Sequence, residues 1–501
     1  MASFLTLVMS VINSIASVLF SLTYNNLLIQ NYGSKVNGLI STLTQFVSLF
    51  SIIEGGFTTA VVVALYKPII TSNYEELNSI LYTAKRTFQK IGSEITICVL
   101  ISGIVYIKLI DSPFNLLKTS LLLVISVCST ALSISYVSQY SVLLQGENKE
   151  YIIINISLFC RLFTWIISMI LMINNHDIIV VYAINIINIA LNILFLKAYN
   201  QNKYPYVTYK GKIDHKCISG TKDVLFQKIA NTIFTSTDLV IISVFISLSS
   251  ASVYNLYYQI YRAVFTLLTS IAQAPFNSFG LLANDNTKKD SLNEMFNIYQ
   301  HLVLIISTVG LTVTGIIIIP FIRVYTINIT DFKYVYPVLS ILFFSQIYSQ
   351  IINRPYGIIL NVTGNFKMQN IQCGIAAVVN ILASLAFIKP LGINSIILGS
   401  FIATLIILFM NIHQAYNHVL HTQAFRALIN ISLNYGISIL LIILSYKLNI
   451  HCKNYYHVIA FALVFTLIVS SIILFLNLLI DKKSTVKVLQ FVKITLINKM
   501  G

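Results

Sequence analysis

Charged residues are scarce in this chain, and acidic residues are the scarcer kind. Of its 501 residues only 10% are charged, 57% are hydrophobic, and 16 are acidic against 32 basic. A composition this apolar argues against an ordinary soluble enzyme. The sequence also lacks a P-loop, a GxSxG elbow and an HExxH zinc motif, so it indicates neither a catalytic centre nor a bound cofactor.

Cysteine is present but is not arranged for a structural or metal-binding role. The six cysteines are spread along the chain without a CxxC pair, which argues against a disulfide framework and against a zinc site. Three histidines, His413, His418 and His421, lie close together in the sequence, but their spacing does not supply a full set of metal ligands. We therefore predict no metal site.

Long polar stretches are nearly absent, and apolar stretches run almost from end to end. A helix needs about 20 mostly apolar residues to cross a bilayer, and its backbone groups must be hydrogen-bonded within the segment. The pattern predicts an all-α polytopic membrane protein with about 14 transmembrane helices. The predicted spans are residues 4–29, 36–65, 91–110, 115–144, 152–173, 178–196, 224–248, 252–282, 296–319, 337–361, 370–388, 393–418, 427–446 and 456–480.

The excess of basic residues indicates how the chain is oriented in the membrane. An even number of spans places both termini on one side, whose loops carry 21 lysines and arginines against 8 on the other side. Because positively charged loops stay in the cytoplasm, we expect both termini there, in contact with anionic lipid headgroups. The charge is therefore not read as a sign of nucleic-acid binding.

The chain carries signs of an internal duplication. Three short sequences recur about 217 residues apart at equivalent span edges, namely 145–149 with 363–367, 198–200 with 415–417, and 36–39 with 253–256. An offset of six spans keeps the orientation of both halves the same, as in parallel repeats. The predicted organisation is a six-helix bundle in residues 1–200, a basic linker in 201–223, a second bundle in 224–418, two further helices in 427–480 and a basic tail in 481–501.

Ionisable side chains inside the predicted spans are the strongest candidates for function. A charge at the bilayer centre costs about 2.5–3.5 kcal/mol on insertion scales, so it normally faces a cavity or a partner. Arginine suits phosphate or diphosphate because its planar fork of donors binds two oxygens at once. The predicted substrate-binding residues of a cationic cavity are Arg161, Arg262 and Arg354, and the accompanying acids are Asp238 and Glu54.

Each of these residues also has a purely structural interpretation. Asp238 and Arg262 lie at similar depth on either side of a tight turn, so they form either a buried ion pair or a binding arginine with an acid that tunes it. Arg161 and Arg354 either line the cavity or snorkel towards the membrane surface. Glu54 either binds a coupling proton or sodium ion or caps a backbone loosened by the two glycines that follow it.

Four short sequences around the first two spans point to a known family. They are NYGS at 31–34, NGL at 37–39, EGG at 54–56 and LYKP at 65–68. With the layout of 14 spans, they make the chain resemble, over essentially its whole length, the Wzx-type polysaccharide flippases of the multidrug/oligosaccharidyl-lipid/polysaccharide exporter superfamily. The resemblance implies two six-helix bundles around a cleft, plus two peripheral helices. Arg262 matches a cavity arginine in span eight of the related lipid II flippases, although their arginines of spans one and two have no counterpart here.

The resemblance also implies a function. Such proteins translocate undecaprenyl-diphosphate-linked oligosaccharide repeat units across the bacterial plasma membrane by alternating access, for O-antigen, lipopolysaccharide or capsule synthesis. The partners implied are the lipid-linked oligosaccharide, a coupling proton or sodium ion, and a polysaccharide polymerase with its chain-length regulator. The alternatives are a MATE-like small-molecule antiporter and, less favoured, a membrane polymerase or glycosyltransferase of the same pathway. The last alternative needs catalytic groups in an outer loop, and the longest such loop offers only Arg323, Asp331 and Lys333.

Overall fold

The computed structural model describes residues 2–211, 236–283, 289–364 and 366–490, and these residues form helices and connecting turns without a strand. The predicted all-α membrane fold is confirmed. The first helices in chain order are α1 (Ala2–Tyr32), α2 (Ser34–Phe50), α3 (Ile52–Ile70), α4 (Tyr74–Leu109), α5 (Leu116–Leu132), α6 (Ser138–Gly146), α7 (Glu150–Ile173) and α8 (Ile178–Lys203), with a π-helical segment, Ser133–Val137, between α5 and α6.

The later helices continue the same pattern of long elements and short connections. They are α9 (Asp238–Phe245), α10 (Leu248–Gln273), α11 (Phe276–Ala283), α12 (Lys289–Tyr325), α13 (Pro337–Val362), α14 (Phe366–Ala386), α15 (Ile388–Leu391), α16 (Asn394–Gln414), α17 (Phe425–Lys447) and α18 (Tyr455–Ile480). A second π-helical segment, Ala415–Leu420, extends α16. Residues 482–490 form one more helical stretch at the end of the described chain.

Ten helices among the described residues are long and apolar enough to cross a membrane, and the bent pair α2 and α3 makes eleven. All of them coincide with predicted spans. Helices α10 and α13 also coincide with predicted spans and have 26 residues each, but they are too polar to be among the ten. Residues 212–235 lie outside the described residues, and they include the second part of the predicted linker 201–223 and the first part of the predicted span 224–248. Residues 491–501 of the predicted tail 481–501 also lie outside them.

The contacts within the chain divide it into two compact units, Met1–Leu256 and Tyr257–Gly501. The boundary falls inside α10, and the predicted division into bundles of residues 1–200 and 224–418 stays a prediction. In the first unit, α4 is one continuous helix whose N-terminus is capped by the side chain of Asn73. The amphipathic N-terminal part of α4 buries Leu77, Leu81 and Phe88, so it packs against the unit.

Three side chains fix the turn after α6 to the segment that follows α8. Glu147 accepts hydrogen bonds from Lys149, at 2.6 Å, and from the hydroxyl group of Tyr204, at 2.5 Å. Burial, together with the neighbouring Glu147, raises the pKa of the Tyr204 phenol well above its usual range. Tyr204 therefore stays protonated and keeps donating to the carboxylate at all ordinary pH values, which holds the start of the predicted linker against the first unit.

In the second unit, the last two helices are attached by hydrogen bonds as well as by apolar contact. The Tyr435 hydroxyl group on α17 donates to Ser345 on α13 at 2.8 Å, and the side-chain amides of Asn434 and Asn477 join α17 to α18 at 2.9 and 3.2 Å. Bonds of this kind inside a membrane are worth about 0.6–2 kcal/mol each. Two more polar contacts reinforce α17, from Thr312 to Ser438 and from Tyr446 to Ser340.

Candidate functional site

Two of the predicted arginines lie close to one aromatic ring. Arg262 on α10 and Arg354 on α13 place their guanidinium carbons 4.7 and 5.3 Å from the centre of the Phe265 ring. Cations at these distances are attracted by the ring quadrupole, by about 0.5–2 kcal/mol. The ring thus holds two like charges in one place, which we call the arginine pair.

The arginine pair has no acidic partner among the described residues of its own unit. In the described part of the second unit, neither guanidinium group donates a hydrogen bond to a side chain or forms an ion pair, and both side chains are only half-buried. Each arginine carries five N–H donors that cannot be neutralised by deprotonation. The pair is therefore a site of unbalanced positive charge that suits a ligand with two anionic groups, such as a diphosphate.

The sequence around Arg354 explains why polar groups collect there. Pro355 lies inside α13 and cannot donate a backbone hydrogen bond, so the helix loses one bond at this turn. Asn353, on the other side of Arg354, accepts a hydrogen bond at 2.9 Å from Asn411 on α16. Irregular backbone at membrane depth is tolerated where it faces protein or water, which is consistent with a polar lining at this point.

Arg161 lies on α7 in the first unit, against α1. Its guanidinium group donates to the hydroxyl of Ser17 at 3.1 Å and lies 5.8 Å from the ring of Trp165. Ser17 is 3.4 Å from the amide oxygen of Asn13, so a short row of polar side chains on α1 leads to the arginine. No carboxylate pairs with Arg161 in the described part of the first unit. Arg161 is therefore a third cation without a carboxylate partner among the described residues of its unit.

Asp238 has a hydroxyl partner in the first unit. It lies in the first turn of α9 and accepts a hydrogen bond from the Tyr254 hydroxyl on α10. Arg262 belongs to the second unit, and the predicted pairing of Asp238 with Arg262 stays a prediction.

Glu54 lies beside breaks in two neighbouring elements. It is in the first turn of α3, just after the bend of 48° that separates α3 from α2. The hydroxyl groups of Thr58 and Ser138 both donate to its Oε1 oxygen, at 2.9 and 2.8 Å. Ser138 directly follows the π-helical segment, and segments of this kind are frequent at functional sites.

The bonding of Glu54 leaves half of its carboxylate open. No described residue of the first unit donates to the Oε2 oxygen. An oxygen in this state accepts a proton or contributes to a sodium site, with the two hydroxyl groups as additional oxygen ligands. Helix α3 runs through Gly55 and Gly56 without interruption, so these glycines are not the break that the sequence suggested.

Several contacts at these sites were not predicted from the sequence. Thr58 lies four residues after Glu54 and Phe265 three residues after Arg262, so helical spacing alone could have found them. Ser138 is 84 residues from Glu54, and no sequence pattern joins the two. The tyrosines of α10, which are chemically suited to stack on sugar rings, are fully buried packing residues at Tyr254, Tyr257 and Tyr261.

Comparison with solved structures identifies the fold. The chain has the fold of the lipid II flippase MurJ. A structure of MurJ in its inward closed conformation matches with a TM-score of 0.70 and 16% sequence identity, over 93% of this chain and 98% of the MurJ chain. An inward-facing MATE family multidrug resistance transporter of the MOP superfamily matches with a TM-score of 0.59 and 11% identity, over 80% of this chain and 94% of its own.

The MATE likeness holds in a second conformation. An outward-facing MATE structure gives a TM-score of 0.55 at 12% identity, over 83% of this chain and 95% of its own. No protein-family model and no curated protein sequence matches the chain. These likenesses concern the fold, which two kinds of membrane transporter share, and the MurJ structure accounts for more of this chain than either MATE structure does.

Proposed function

We propose that this protein is a flippase that moves undecaprenyl-diphosphate-linked oligosaccharide repeat units from the inner to the outer leaflet of the bacterial plasma membrane. The observation that carries the proposal is the arginine pair. Two guanidinium groups beside one ring, without a carboxylate partner in the described part of their unit, match the two phosphates of a lipid diphosphate. The fold is that of MurJ, whose name states that it flips lipid II.

In this proposal the three arginines have related roles. Arg262 and Arg354 bind the diphosphate, and Arg161 in the first unit supplies a further cation for the headgroup. The lipid chain stays in the bilayer, and the glycan passes across with the diphosphate as the two halves alternate in access. The polar character of α10 and α13, which keeps them out of the set of strongly apolar helices, supports a role in lining a hydrated path.

Glu54 and Asp238 are the acids of the proposed mechanism. Glu54 is the candidate for a coupling ion because one of its carboxylate oxygens is open, and Asp238 tunes the charge of the site. Whether the ion is a proton or sodium is decided by transport measured with and without sodium at constant pH.

The excess of basic residues in the loops of one side supports a cytoplasmic location of both termini. Such a protein delivers repeat units to a polysaccharide polymerase and its chain-length regulator, in O-antigen or capsule synthesis.

The second candidate function is a small-molecule antiporter, and the likeness to MATE transporters favours it. The positive charge of the arginine pair disfavours a cationic cargo, because like charges repel strongly in a medium of low dielectric constant. An antiporter of anionic small molecules stays compatible with the same residues. The two functions differ in their cargo, and therefore in what accumulates when the protein is absent.

Complementation separates the two functions. We expect the wild-type chain to restore surface polysaccharide in a strain that lacks its own flippase, and to clear the accumulated lipid-linked repeat units. Arg262→Ala at matched membrane expression is expected to restore neither. Restoration by both chains reduces Arg262 to a structural residue. Failure of the wild-type chain, despite expression and a matched repeat unit, moves the proposal to the antiporter.

A further inference from the structure

The second unit contains a small polar cavity that none of the predicted site residues explains. Three helices line it, with Gln300 and His301 from α12, Pro355 and Tyr356 from α13, and Asn430 from α17. Its volume is about 20 Å³. A polar cavity needs only about 10–15 Å³ to hold one water molecule. We call this space the His301 cavity.

One nitrogen of His301 is already committed outside the cavity. Its Nε2 atom lies 2.9 Å from the hydroxyl oxygen of Thr485, in the helical stretch that follows α18. The Thr485 hydroxyl group also lies 3.0 and 2.8 Å from the backbone carbonyl groups of Asn477 and Asp481. Carbonyl oxygens only accept, so the arrangement that uses all of these contacts has the Thr485 hydroxyl donating to a carbonyl oxygen and accepting from Nε2–H, and we assign this tautomer. In the neutral imidazole, Nδ1 is then an acceptor.

Asn430, another lining residue, supplies a second acceptor. The Oδ1 atom of Asn430 is buried without a hydrogen-bond partner in the described chain, and only 5% of the residue is exposed. The Gln300 amide does not satisfy it, because that amide is engaged with the hydroxyl groups of Tyr356 and Tyr416. A buried acceptor without a donor costs about 1–3 kcal/mol. His301 Nδ1 and Asn430 Oδ1 are therefore two acceptors for which the described residues supply no donor.

Ionisable groups surround the cavity on each of its elements. Burial of the imidazole disfavours its charged form, and the carboxylate of Asp481, to which Ser484 donates at 2.9 Å, acts in the opposite sense with a smaller effect. Other ionisable groups on these elements include Tyr299 and Glu294 on α12, Tyr348, Arg354 and Tyr356 on α13, Arg426 and Tyr435 on α17, and Lys482, Lys483 and Lys487 after α18, of which Lys487 is paired with Glu294. Asp481 thus provides the counter-charge for an imidazolium.

We propose that the His301 cavity is a proton-binding site in which one water molecule bridges His301 Nδ1 and Asn430 Oδ1. In the neutral state the water donates its two hydrogens to the two acceptors. When a proton binds to Nδ1, the new N–H group donates to the water, which still donates to Asn430. This site is separate from Glu54 in the first unit.

The position of the cavity links the proton to transport, an inference that rests on the proposed function. Pro355 lines the cavity and directly follows Arg354, one half of the arginine pair. His301 also joins α12 to the helical stretch after α18 through Thr485. A positive charge placed on His301 therefore changes both the field at the anion site and the hydrogen bond to the C-terminal stretch. We propose that this is how a proton is coupled to release of the anionic substrate.

The proton site is testable without any transport assay. Full-length protein carrying ¹⁵N-histidine is placed in lipid vesicles and titrated by solid-state NMR, and His301→Asn identifies the His301 signal among the eight histidines. We expect a neutral Nε2–H form at about pH 8.5 that becomes doubly protonated as the pH is lowered through and below the range in which histidine ordinarily titrates, because burial disfavours the charged imidazole. A His301 signal that stays neutral throughout overturns the proposal.

Matched variants test the second acceptor and the coupling. Asn430→Leu is expected to move the midpoint of the His301 titration down by about one pH unit, because it removes the acceptor, whereas Asn430→Asp moves it up. His413→Asn, an exposed histidine of the same unit, leaves the curve unchanged. If neither Asn430 variant moves the midpoint, the bridge is overturned, and the aspartate variant serves if the leucine variant does not fold.

The coupling of the proton to transport is measured in a separate experiment. In vesicles that transport, we expect His301→Asn to lose most of the stimulation by a pH gradient, and His413→Asn to keep it. Stimulation that is equal in the two variants overturns the coupling but leaves the proton site standing. A wild-type chain that titrates at His301 but moves no lipid-linked substrate contradicts the proposed function instead.

Discussion

Replacing Arg262 and Arg354 together by alanine is expected to lower the affinity for undecaprenyl diphosphate by at least about 100-fold. A hydrogen bond to a charged group is worth about 1.5–3 kcal/mol, which is about tenfold or more for each arginine. The two guanidinium groups share the ring of Phe265, so they act on the same ligand. We expect the preference for the diphosphate over the monophosphate to fall as well, because one arginine can serve only one phosphate well.

The measurement is lipid binding to the purified chain, with the two single variants completing a double-mutant cycle. The matched control is Arg323→Ala at the end of α12, a helix that carries neither arginine of the pair, where the guanidinium group donates to Asn449 at 2.8 Å. An affinity that is unchanged in the double variant, or lost equally in Arg323→Ala, contradicts the assignment of the diphosphate site.

Replacing Gly38 by alanine is expected to destabilise the folded protein by about 3 kcal/mol or more, beyond the usual cost of about 1–3 kcal/mol for overpacking. A Cβ atom at this position would lie 1.8 Å from the carbonyl oxygen of Leu248 and 2.6 Å from its carbonyl carbon. These are backbone atoms at the start of α10, so they cannot move aside as a flexible side chain does. The close approach also places Asn37 within 2.7 Å of Ser252, a buried hydrogen bond that a shifted helix loses.

Thermal unfolding in detergent, together with the yield of monodisperse protein, measures this effect. Gly436→Ala on α17 is the control, because nothing lies within 4 Å of the added Cβ atom. That change is expected to be neutral or to stabilise by about 0.5–1 kcal/mol, since alanine is the better helix former. If Gly38→Ala melts at the same temperature as Gly436→Ala, the close contact between α2 and α10 is wrong.

The membrane helices could be predicted from the sequence because each depends on a local property, the length of an apolar run. What runs of hydrophobicity do not show is where a helix breaks. The predicted span 36–65 consists of two helices that meet at Ser51, while Gly55 and Gly56 lie inside a helix, where each glycine costs only about 0.5–1 kcal/mol. Likewise, the predicted span 91–110 is the second part of a helix that begins at Tyr74.

Only some residues of the candidate sites could be predicted from the sequence. Deep arginines stand out because charge is rare in membrane segments, so Arg262 and Arg354 could be named in advance. Their meeting at Phe265 could not be predicted, since 92 residues separate them and helical periodicity carries no information at that distance. The proposed role of His301 and Asn430 could not be predicted from the sequence, because it depends on one unsatisfied oxygen at a cavity that three helices line.

The most direct test of the proposed flippase is the movement of its substrate between leaflets. Purified chain is reconstituted into vesicles that contain an undecaprenyl-diphosphate-linked oligosaccharide, and a membrane-impermeant glycosidase digests the glycan that is exposed outside. We predict that the wild-type chain makes the whole pool digestible, whereas empty vesicles and vesicles with the Arg262→Ala, Arg354→Ala double variant lose only the outer-leaflet share. Digestion that stops at the same share with the wild-type chain contradicts the flippase.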